Sequence, residues 1–324
     1  MREITYAQAI TETLQEEFRR DKKFIYLGSG PIPAMVKEFG TERIRGTPIS
    51  ESSVVGAAIG LAGSGFKPVV NLGMATFAFV ATDQIVNQAA KITYMFGGQA
   101  KFPIVLMMTV GAGRYMAAQH QISPYSMYMN VPGLKIILPA TPYDVKGLLR
   151  TALRDTNPVI FFTHVALSDE RGEVPDDDFT VPFGQAEIKQ KGSDVTVVAL
   201  SRMVQESLAA ARQMESQGIS VEVIDPRTLV PMDTDTIKNS VVKTGRLVVV
   251  DEACPTCGAA SEIASQVVQD ERSFLSLKAA PKLVTGAGIP IPYSPPMEKF
   301  AVPDRTKIAA AIKAVMEGKG RKRS

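Results

Sequence analysis

Glu51 is the residue whose surroundings most suggest chemistry. It is the single charged residue in the segment 47–65, which reads TPISESSVVGAAIGLAGSG. A lone carboxylate at the entrance of an apolar helix is unfavourable to bury unless another group pairs with it. The glycines and alanines of that helix would let another backbone approach closely. Two interpretations follow: Glu51 lies in a dry interface, or it is an ordinary acid favoured by the helix dipole.

The two histidines, His120 and His164, are candidates for proton transfer. His120 lies in a loop after a predicted buried strand (residues 103–108), and loops at strand carboxyl ends are where α/β sheets place ligands. A histidine there can donate a proton near neutral pH, although a loop histidine that only bonds backbone would look the same. His164 follows another predicted strand and could reach the same rim.

Cys254 and Cys257 have the C-x-x-C spacing. A zinc site would need two more ligands, and both histidines are distant in sequence. A redox pair would need a thiolate poised at a helix amino terminus. We interpret the pair as structural thiols in a reducing compartment, with redox chemistry as the less favoured alternative.

Composition argues against several functional classes. The 324 residues are 45% hydrophobic, and 36 basic against 33 acidic residues leave a net charge of only +3. This balance argues against a nucleic-acid surface, and the basic cluster at residues 319–323 is interpreted as a frayed end. No apolar run could span a membrane, and the charged amino terminus, which should enter a helix directly, is not a signal peptide. We expect a cytoplasmic protein, with a processed organelle precursor as the alternative.

Short apolar strands alternate with helices along the chain. Strands are predicted at 23–27, 69–72, 103–108, 134–138 and 159–162, with helices at 5–20, 54–62, 83–94 and 143–154 between them. This alternation predicts an α/β fold with a parallel sheet covered on both faces. The acidic segment 168–183 is predicted to be an inter-domain linker. A second α/β unit follows, with strands at 195–200, 221–224 and 247–251 and helices at 203–216, 259–269 and 305–316.

Motifs along nearly the whole chain carry a family resemblance. They are TPISE (47–51), DQIVN with AAK (83–91), YMFGGQ (94–99), AQH (118–120), PGLK (132–135), KGLL (146–149), DTNP (155–158), GEVP (172–175) and PYSPP (292–296). The chain resembles the beta subunit of the thiamine-diphosphate-dependent first component of 2-oxo acid dehydrogenase complexes, of the pyruvate, branched-chain and acetoin types. The resemblance implies a transketolase-like fold, with a pyrimidine-binding domain (1–185) and a smaller transketolase carboxy-terminal domain (186–324).

The resemblance also implies residue roles. Glu51 would hydrogen-bond the aminopyrimidine ring of thiamine diphosphate and so promote loss of the proton from its thiazolium carbon. Phe77 would pack on the pyrimidine, with Ser29 and Gly73 beside the cofactor. His120 would lie near the reacting centre and the entrance for the acyl acceptor. A potassium site built largely of carbonyls would be formed by Ile104, Ala152, Leu153, Asp155 and Asn157.

A partner chain is implied by a missing motif. The sequence has no Gly-Asp-Gly with a downstream asparagine, which in the family holds magnesium and the diphosphate. That half of the site should come from an alpha subunit in an alpha2-beta2 heterotetramer. The leading hypothesis is a subunit that cleaves a 2-oxo acid or ketol and passes the acyl unit to a carrier such as a lipoyl domain. The alternatives are ketol or hydroxyacyl transfer to an acyl carrier protein, a split transketolase-like activity, and a non-catalytic scaffold.

The sequence departs from the family pattern near the expected active site. Ser29 stands where the family usually has an acid, Asn71 where it has a glutamate, and Met107 where an arginine is common. After His120, the residues QISPY (121–125) replace the usual serine-glutamine-serine. The resemblance therefore does not fix the substrate or the acyl acceptor.

Overall fold

The computed structural model describes residues 1–318, and the basic cluster at 319–323 lies outside the described residues. The chain forms two compact units. The first unit contains Met1–Gly111, Met127–Phe183 and Leu229–Pro231. The second contains Ala112–Ser126, Gly184–Thr228 and the chain from Met232 onward. The loop that carries His120 thus belongs to the second unit, although it interrupts the first in sequence.

The regular elements alternate in the predicted manner. The strands are β1 (Arg2–Thr5), β2 (Phe24–Gly28), β3 (Ile44–Gly46), β4 (Lys67–Met74), β5 (Val105–Val110), β6 (Lys135–Ile137), β7 (Val159–His164), β8 (Arg171–Val174), β9 (Glu187–Gln190), β10 (Val195–Ala199), β11 (Val221–Asp225), β12 (Thr228–Val230), β13 (Leu247–Val250) and β14 (Lys282–Val284). The α-helices are α1 (Tyr6–Arg20), α2 (Pro33–Arg43), α3 (Glu51–Gly63), α4 (Ala90–Met95), α5 (Tyr125–Met129), α6 (Pro142–Arg154), α7 (Met203–Glu215), α8 (Thr234–Thr244), α9 (Ala259–Gln269), α10 (Glu271–Ser276), α11 (Pro295–Ala301) and α12 (Arg305–Glu317).

The first unit is built on a seven-stranded sheet in the order β12-β6-β7-β5-β4-β2-β3. The pairs from β6 to β3 are parallel, as predicted. Strands β2 and β7 are buried along their whole length, because helices cover both faces of such a sheet. Helix α1 begins with the predicted capping box, in which the Thr5 hydroxyl accepts from Gln8 N at 3.1 Å and the Gln8 side chain accepts from Thr5 N at 2.8 Å.

The second unit has a five-stranded sheet in the order β14-β13-β10-β11-β9. Strands β10, β11, β13 and β14 are parallel, whereas β9 is antiparallel to β11. The sequence patterns identified β10, β11 and β13 but missed the shorter β9 and β14. Within residues 1–318, no helix combines the length and the apolarity needed to cross a membrane.

Two predictions for the ends of the first unit were wrong. The amino terminus does not enter a helix directly, since residues 2–5 form β1, which pairs antiparallel with β8. The segment 168–183 is therefore part of the first unit and not a linker. Its Val174 and Val181 are buried in the core, and its Asp178 pairs with Arg154 at 2.7 Å. The sequence suggested a linker because the segment is acidic and rich in turn residues. The basic partners of its acids lie far away in sequence and are not visible in the local pattern.

The segment 77–95 is helical but irregular. A 3-10 turn (Phe77–Ala81) leads into a π-helix (Asp83–Ala89), which continues as α4. The sequence predicted one continuous α-helix from Asp83 to Tyr94, because the spacing of apolar residues does not distinguish a π-helix from an α-helix over two turns.

Candidate active site

Three neighbouring strands of the first unit end at the edge where the predicted cofactor residues lie. Gly28, at the end of β2, is aligned with Gly46 of β3 and with Asn71 of β4. A Cβ atom on Gly28 would lie 2.8 Å from the Asn71 carbonyl oxygen, so only glycine permits this approach. The Gly28 carbonyl accepts from Thr47 N at 3.0 Å, which starts the segment leading to Glu51. Ser29 follows directly and is exposed.

Glu51 is the first residue of α3, one turn earlier than the periodicity of the sequence suggested. It is half-buried, and within residues 1–318 its carboxylate makes no hydrogen bond or ion pair. The preceding Ser50 hydroxyl bonds the Ser53 hydroxyl at 3.0 Å and does not cap the helix. Glu51 therefore lies at the positive end of the helix dipole, and its oxygens remain available to a ligand.

Gly73 and Phe77 meet at the same edge. Gly73 has a φ of +66°, and a Cβ atom there would lie 3.5 Å from the Phe77 ring, so the ring packs against the glycine. The turn is fixed by Asn71, whose Oδ1 accepts from Gly73 N at 3.0 Å and whose amide donates to the Tyr26 hydroxyl at 2.8 Å. The Phe77 ring remains 36% exposed. It offers an aromatic face on the same edge as Glu51.

A cavity of about 210 Å³ lies inside the first unit and is lined by Tyr26, Asn71, Met107, Thr109 and His164, among others. Asn71 and Met107 are aligned partners on β4 and β5. Two neutral side chains thus lie side by side where the resemblance leads one to expect an acid and a base.

His164 lies at the carboxyl end of its strand, where the sequence predicted it. It is the last residue of β7, is only 2% exposed, and uses Nδ1 to accept from Ala166 N at 3.1 Å. In the neutral imidazole the proton is then assigned to Nε2. We assign His164 a structural contribution to the strand end.

His120 lies in the histidine loop (residues 112–126), which belongs to the second unit. It is half-buried, and its backbone N donates to the Ala117 carbonyl at 3.2 Å. Sequence reasoning missed the residues that hold this loop, namely Glu252, which accepts from Ala112 N, and Glu298, which accepts from Gly113 N at 2.7 Å. These bonds join residues more than a hundred positions apart, so no local pattern reports them.

The residues expected to hold potassium lie at the opposite, amino-terminal edge of the first unit's sheet. The Ile104 carbonyl accepts from Val159 N at 2.8 Å, and the Ala152 carbonyl accepts from Asp155 N at 3.2 Å. Leu153 is buried beside them in helix α6.

The Asp155 carboxylate at this edge is already engaged. It pairs with Lys135, and its Oδ1 accepts from Asn157 N at 2.8 Å. Burial by itself would raise the pKa of Asp155, but these hydrogen bonds outweigh it and the pKa is lowered. A cation here would therefore rely on carbonyl oxygens and not on this carboxylate.

The C-x-x-C thiols are free, as expected, but both are exposed, so they do not support the core as structural thiols would. Cys257 has a φ of +52° and lies two residues before α9. In the described part of the chain, no cluster of three or more histidine, cysteine or acidic side chains could hold a metal ion.

Comparisons with known proteins cover the chain almost completely. The family model "Transketolase, pyrimidine binding domain" matches residues 2–169, and "Transketolase, C-terminal domain" matches residues 184–308. Among the relatives, acetoin:2,6-dichlorophenolindophenol oxidoreductase subunit beta of Cupriavidus necator is 42% identical over 98% of both chains. Pyruvate dehydrogenase E1 component subunit beta of Rickettsia felis is 40% identical over 97% of this chain and 98% of its own.

The fold is also similar to a solved structure described as a split gene transketolase, inactive beta4 tetramer. The TM-score is 0.80 at 23% identity, over 98% of this chain and 99% of the other. At this identity the likeness supports the fold alone.

Proposed function

We propose, because the chain belongs to the transketolase-like family of E1 beta subunits, that it is the beta subunit of a thiamine-diphosphate-dependent enzyme. This enzyme cleaves a 2-oxo acid or a ketol and transfers the acyl unit to a carrier. The observation that carries the proposal is Glu51, a carboxylate at a helix entrance with no partner among the described residues. Relatives named for acetoin, pyruvate and 2-oxoisovalerate support this range of substrates.

The residues at the carboxyl edge of β2, β3 and β4 fit the pyrimidine half of this cofactor. The pyrimidine ring needs an apolar face and a carboxyl partner, and Phe77 and Glu51 supply these two features. Thiamine diphosphate, when bound, would supply a carbon nucleophile for the substrate carbonyl and an electron sink for the bond that breaks. Glu51 would hydrogen-bond the pyrimidine ring and hold the proton that they share. Ser29 and Gly73 shape the edge without adding charge.

We assign His120 to the later part of the reaction. A half-buried imidazole can donate or accept a proton and still meet an incoming acceptor. It therefore donates and accepts protons while the acyl unit passes to the carrier. In the standard case of the family the carrier is a lipoyl domain, and an acyl carrier protein is the alternative.

An alpha subunit completes the site in an alpha2-beta2 assembly and brings the groups that hold magnesium and the diphosphate. The first unit exposes the surface that such a partner needs. Gly56, Ala57 and Gly60 form an exposed small-residue face on α3. Large apolar side chains are exposed in the same unit, with Ile49 84% and Tyr94 89% exposed. An apolar surface of this kind is typical of a protein interface.

We also propose that potassium binds at the amino-terminal edge of the same sheet, held by carbonyls of Ile104, Ala152 and Leu153 and by the Asp155–Asn157 turn. This donor set suits a hard cation. Thermal unfolding of the assembled enzyme in potassium and in sodium tests the site, and equal stability in the two salts contradicts it.

We also propose the domain boundaries and the cellular location. Residues 1–185 are the pyrimidine-binding domain and 186–324 the carboxy-terminal domain. The exposed free cysteines suit the reducing cytoplasm. Cell fractionation tests this location, and recovery in an oxidising compartment contradicts it.

The isolated chain should not bind thiamine diphosphate tightly, because it lacks the groups for magnesium and diphosphate. Calorimetry on the purified chain should show weak binding, and the chain co-expressed with an alpha-type subunit should bind in a magnesium-dependent manner. The assembled enzyme should then oxidise pyruvate or acetoin with 2,6-dichlorophenolindophenol as acceptor. Tight, magnesium-dependent binding to the isolated chain would contradict the shared site.

A further inference from the structure

We propose that Glu298 and Glu252 are positioning residues, which hold the histidine loop (residues 112–126) in place and so set where His120 acts during acyl transfer. The role of His120 rests on the proposed function. The anchoring of the loop rests on contacts within the second unit alone.

Backbone N–H groups at the start of the histidine loop donate to these two acids. Ala112 N donates to Glu252, while Gly113 N and Tyr115 N donate to the two separate carboxylate oxygens of Glu298, at 2.7 and 3.0 Å. Glu298 is 2% exposed and Glu252 8% exposed. Both acids are therefore built into the interior of the second unit with the loop as their partner.

The chemistry of these contacts explains why acids stand there. A buried carboxylate needs several hydrogen-bond donors, and the N–H groups of an irregular loop need acceptors that no helix or strand supplies. Hydrogen bonds to an ionised acceptor are shorter and stronger than neutral ones. One glutamate with two oxygens can therefore fix two N–H groups in one geometry. Replacing either acid by a neutral side chain weakens or removes these hydrogen bonds to the loop.

The loop needs such support because its backbone is strained. Tyr115 has a φ of 56° and Ala117 a φ of 64°, a region that side-chain-bearing residues seldom occupy. Backbone strain of this kind persists where the surroundings over-determine the conformation, and it concentrates at functional sites. The strained residues lie between the anchored Gly113 and His120. Release of the anchor should therefore move the histidine.

The other end of the loop is tied to the residue next to Glu252. The Tyr125 hydroxyl donates to Asp251, and both residues are buried. Within the loop, the buried Gln121 side chain accepts from Met116 N at 2.6 Å. The loop is thus held at both ends, and His120 lies between the two anchors.

The test uses Glu298→Gln in the enzyme assembled with its alpha subunit. Glutamine has one acceptor oxygen, so either Gly113 N or Tyr115 N must lose its partner and face an NH₂ group. Asp233→Asn is the matched control. Asp233 lies in the same unit, and its two oxygens accept from Thr236 N and Ala186 N at 3.0 Å each, but it does not touch the loop.

Two quantities are measured, the hydrogen exchange of the 112–120 amides and the kinetics of the reaction. Glu298→Gln should speed the exchange and slow acyl transfer to the carrier about tenfold or more, since small misplacements have effects of this order. The KM for the 2-oxo acid and the dye-linked rate should stay close to wild type. Asp233→Asn should leave both loop exchange and transfer unchanged. Glu252→Gln keeps an acceptor oxygen for Ala112 N and should show a smaller effect in the same direction.

Unchanged loop exchange in Glu298→Gln would overturn the anchoring. Faster exchange with unchanged transfer would overturn the positioning role, and so would an equal loss of transfer in Asp233→Asn. If Glu298→Gln does not assemble, Glu252→Gln decides by the same criteria. A wild-type assembly without turnover would refute the proposed function alone, because the exchange comparison still decides the anchoring.

Discussion

Two glutamates of this chain, Glu51 and Glu298, look alike in sequence and differ in the fold. Glu51 is the first residue of α3, and Glu298 lies in the first turn of α11. The carboxylate of Glu51 has no partner within residues 1–318, whereas Glu298 is buried and each of its oxygens accepts from a backbone N–H. An acid without a protein partner can serve a ligand, and a fully bonded acid serves the architecture. The same side chain can thus act in two ways, according to which donors surround it.

Glu51→Gln should give the largest effect on activity with almost none on stability. Loss of the shared proton should lower turnover of the assembled enzyme by about 10²–10⁴-fold. Because the carboxylate makes no contact to lose, the free energy of unfolding of the isolated chain should change by less than about 1 kcal/mol, the size of a helix-dipole effect. Steady-state kinetics and urea unfolding measure the two quantities. A variant that is inactive because it is unfolded would contradict the claim that Glu51, unlike Glu298, does not support the fold.

Asp251→Asn should change how stability depends on pH. Burial raises the pKa of Asp251 to about 6, although the hydrogen bond from Tyr125 lowers it. Between pH 4 and 6 the folded state therefore binds more protons than the unfolded state, and this group makes folding less favourable as pH rises, by roughly 3 kcal/mol in all. Asparagine removes the charge and keeps an acceptor for Tyr125. The variant should gain stability relative to wild type between pH 4 and 7 in urea unfolding.

Asp233→Asn, in the same unit, should change the pH dependence of stability in the opposite direction. Burial alone would raise the pKa of Asp233, but hydrogen bonds from Thr236 N and Ala186 N outweigh it and lower the pKa. Its contribution is present above the unfolded pKa and is lost as pH falls, so this variant should lose stability relative to wild type as pH rises. The same pH trend in both variants would contradict the assignment of the two shifts.

Gly60→Ala should give the smallest effect, and its sign should differ between the free and the assembled chain. A Cβ atom on Gly60 meets nothing within 4 Å, and alanine is the better helix former. The isolated chain should therefore gain up to about 1 kcal/mol. If α3 packs closely against a partner, the extra methyl group should weaken assembly. Urea unfolding and light scattering measure the two effects, and an unweakened assembly would remove this face from the interface.

The sequence predicted what depends on local periodicity and missed what depends on distant partners. Alternation of apolar strands with helices predicted the parallel core of the first unit, and Thr5 with Gln8 predicted the start of α1. The pairing of β1 with β8 was missed because it joins residues about 170 positions apart. The segment 168–183 was misread for the same reason.

In the candidate site, too, the sequence predicted local features and missed those that depend on distant residues. Glu51 stood out as the only charge in residues 47–65, and Gly73 and Phe77, named from the resemblance, lie together in the structure. The support of the histidine loop could not be predicted, because Glu252 and Glu298 reach it from far along the chain. The pairing of Asn71 with Met107 also needed the strand register.

The exchange of the thiazolium proton for deuterium, measured in the assembled enzyme, tests the account most directly. It reports the proton transfer that Glu51 should promote, before any acyl unit moves. We expect Glu51→Gln to slow the exchange by about 10²–10⁴-fold and His120→Ala to leave it unchanged while acyl transfer is impaired. Unchanged exchange in Glu51→Gln would contradict the account and return Glu51 to an ordinary acid at a helix entrance.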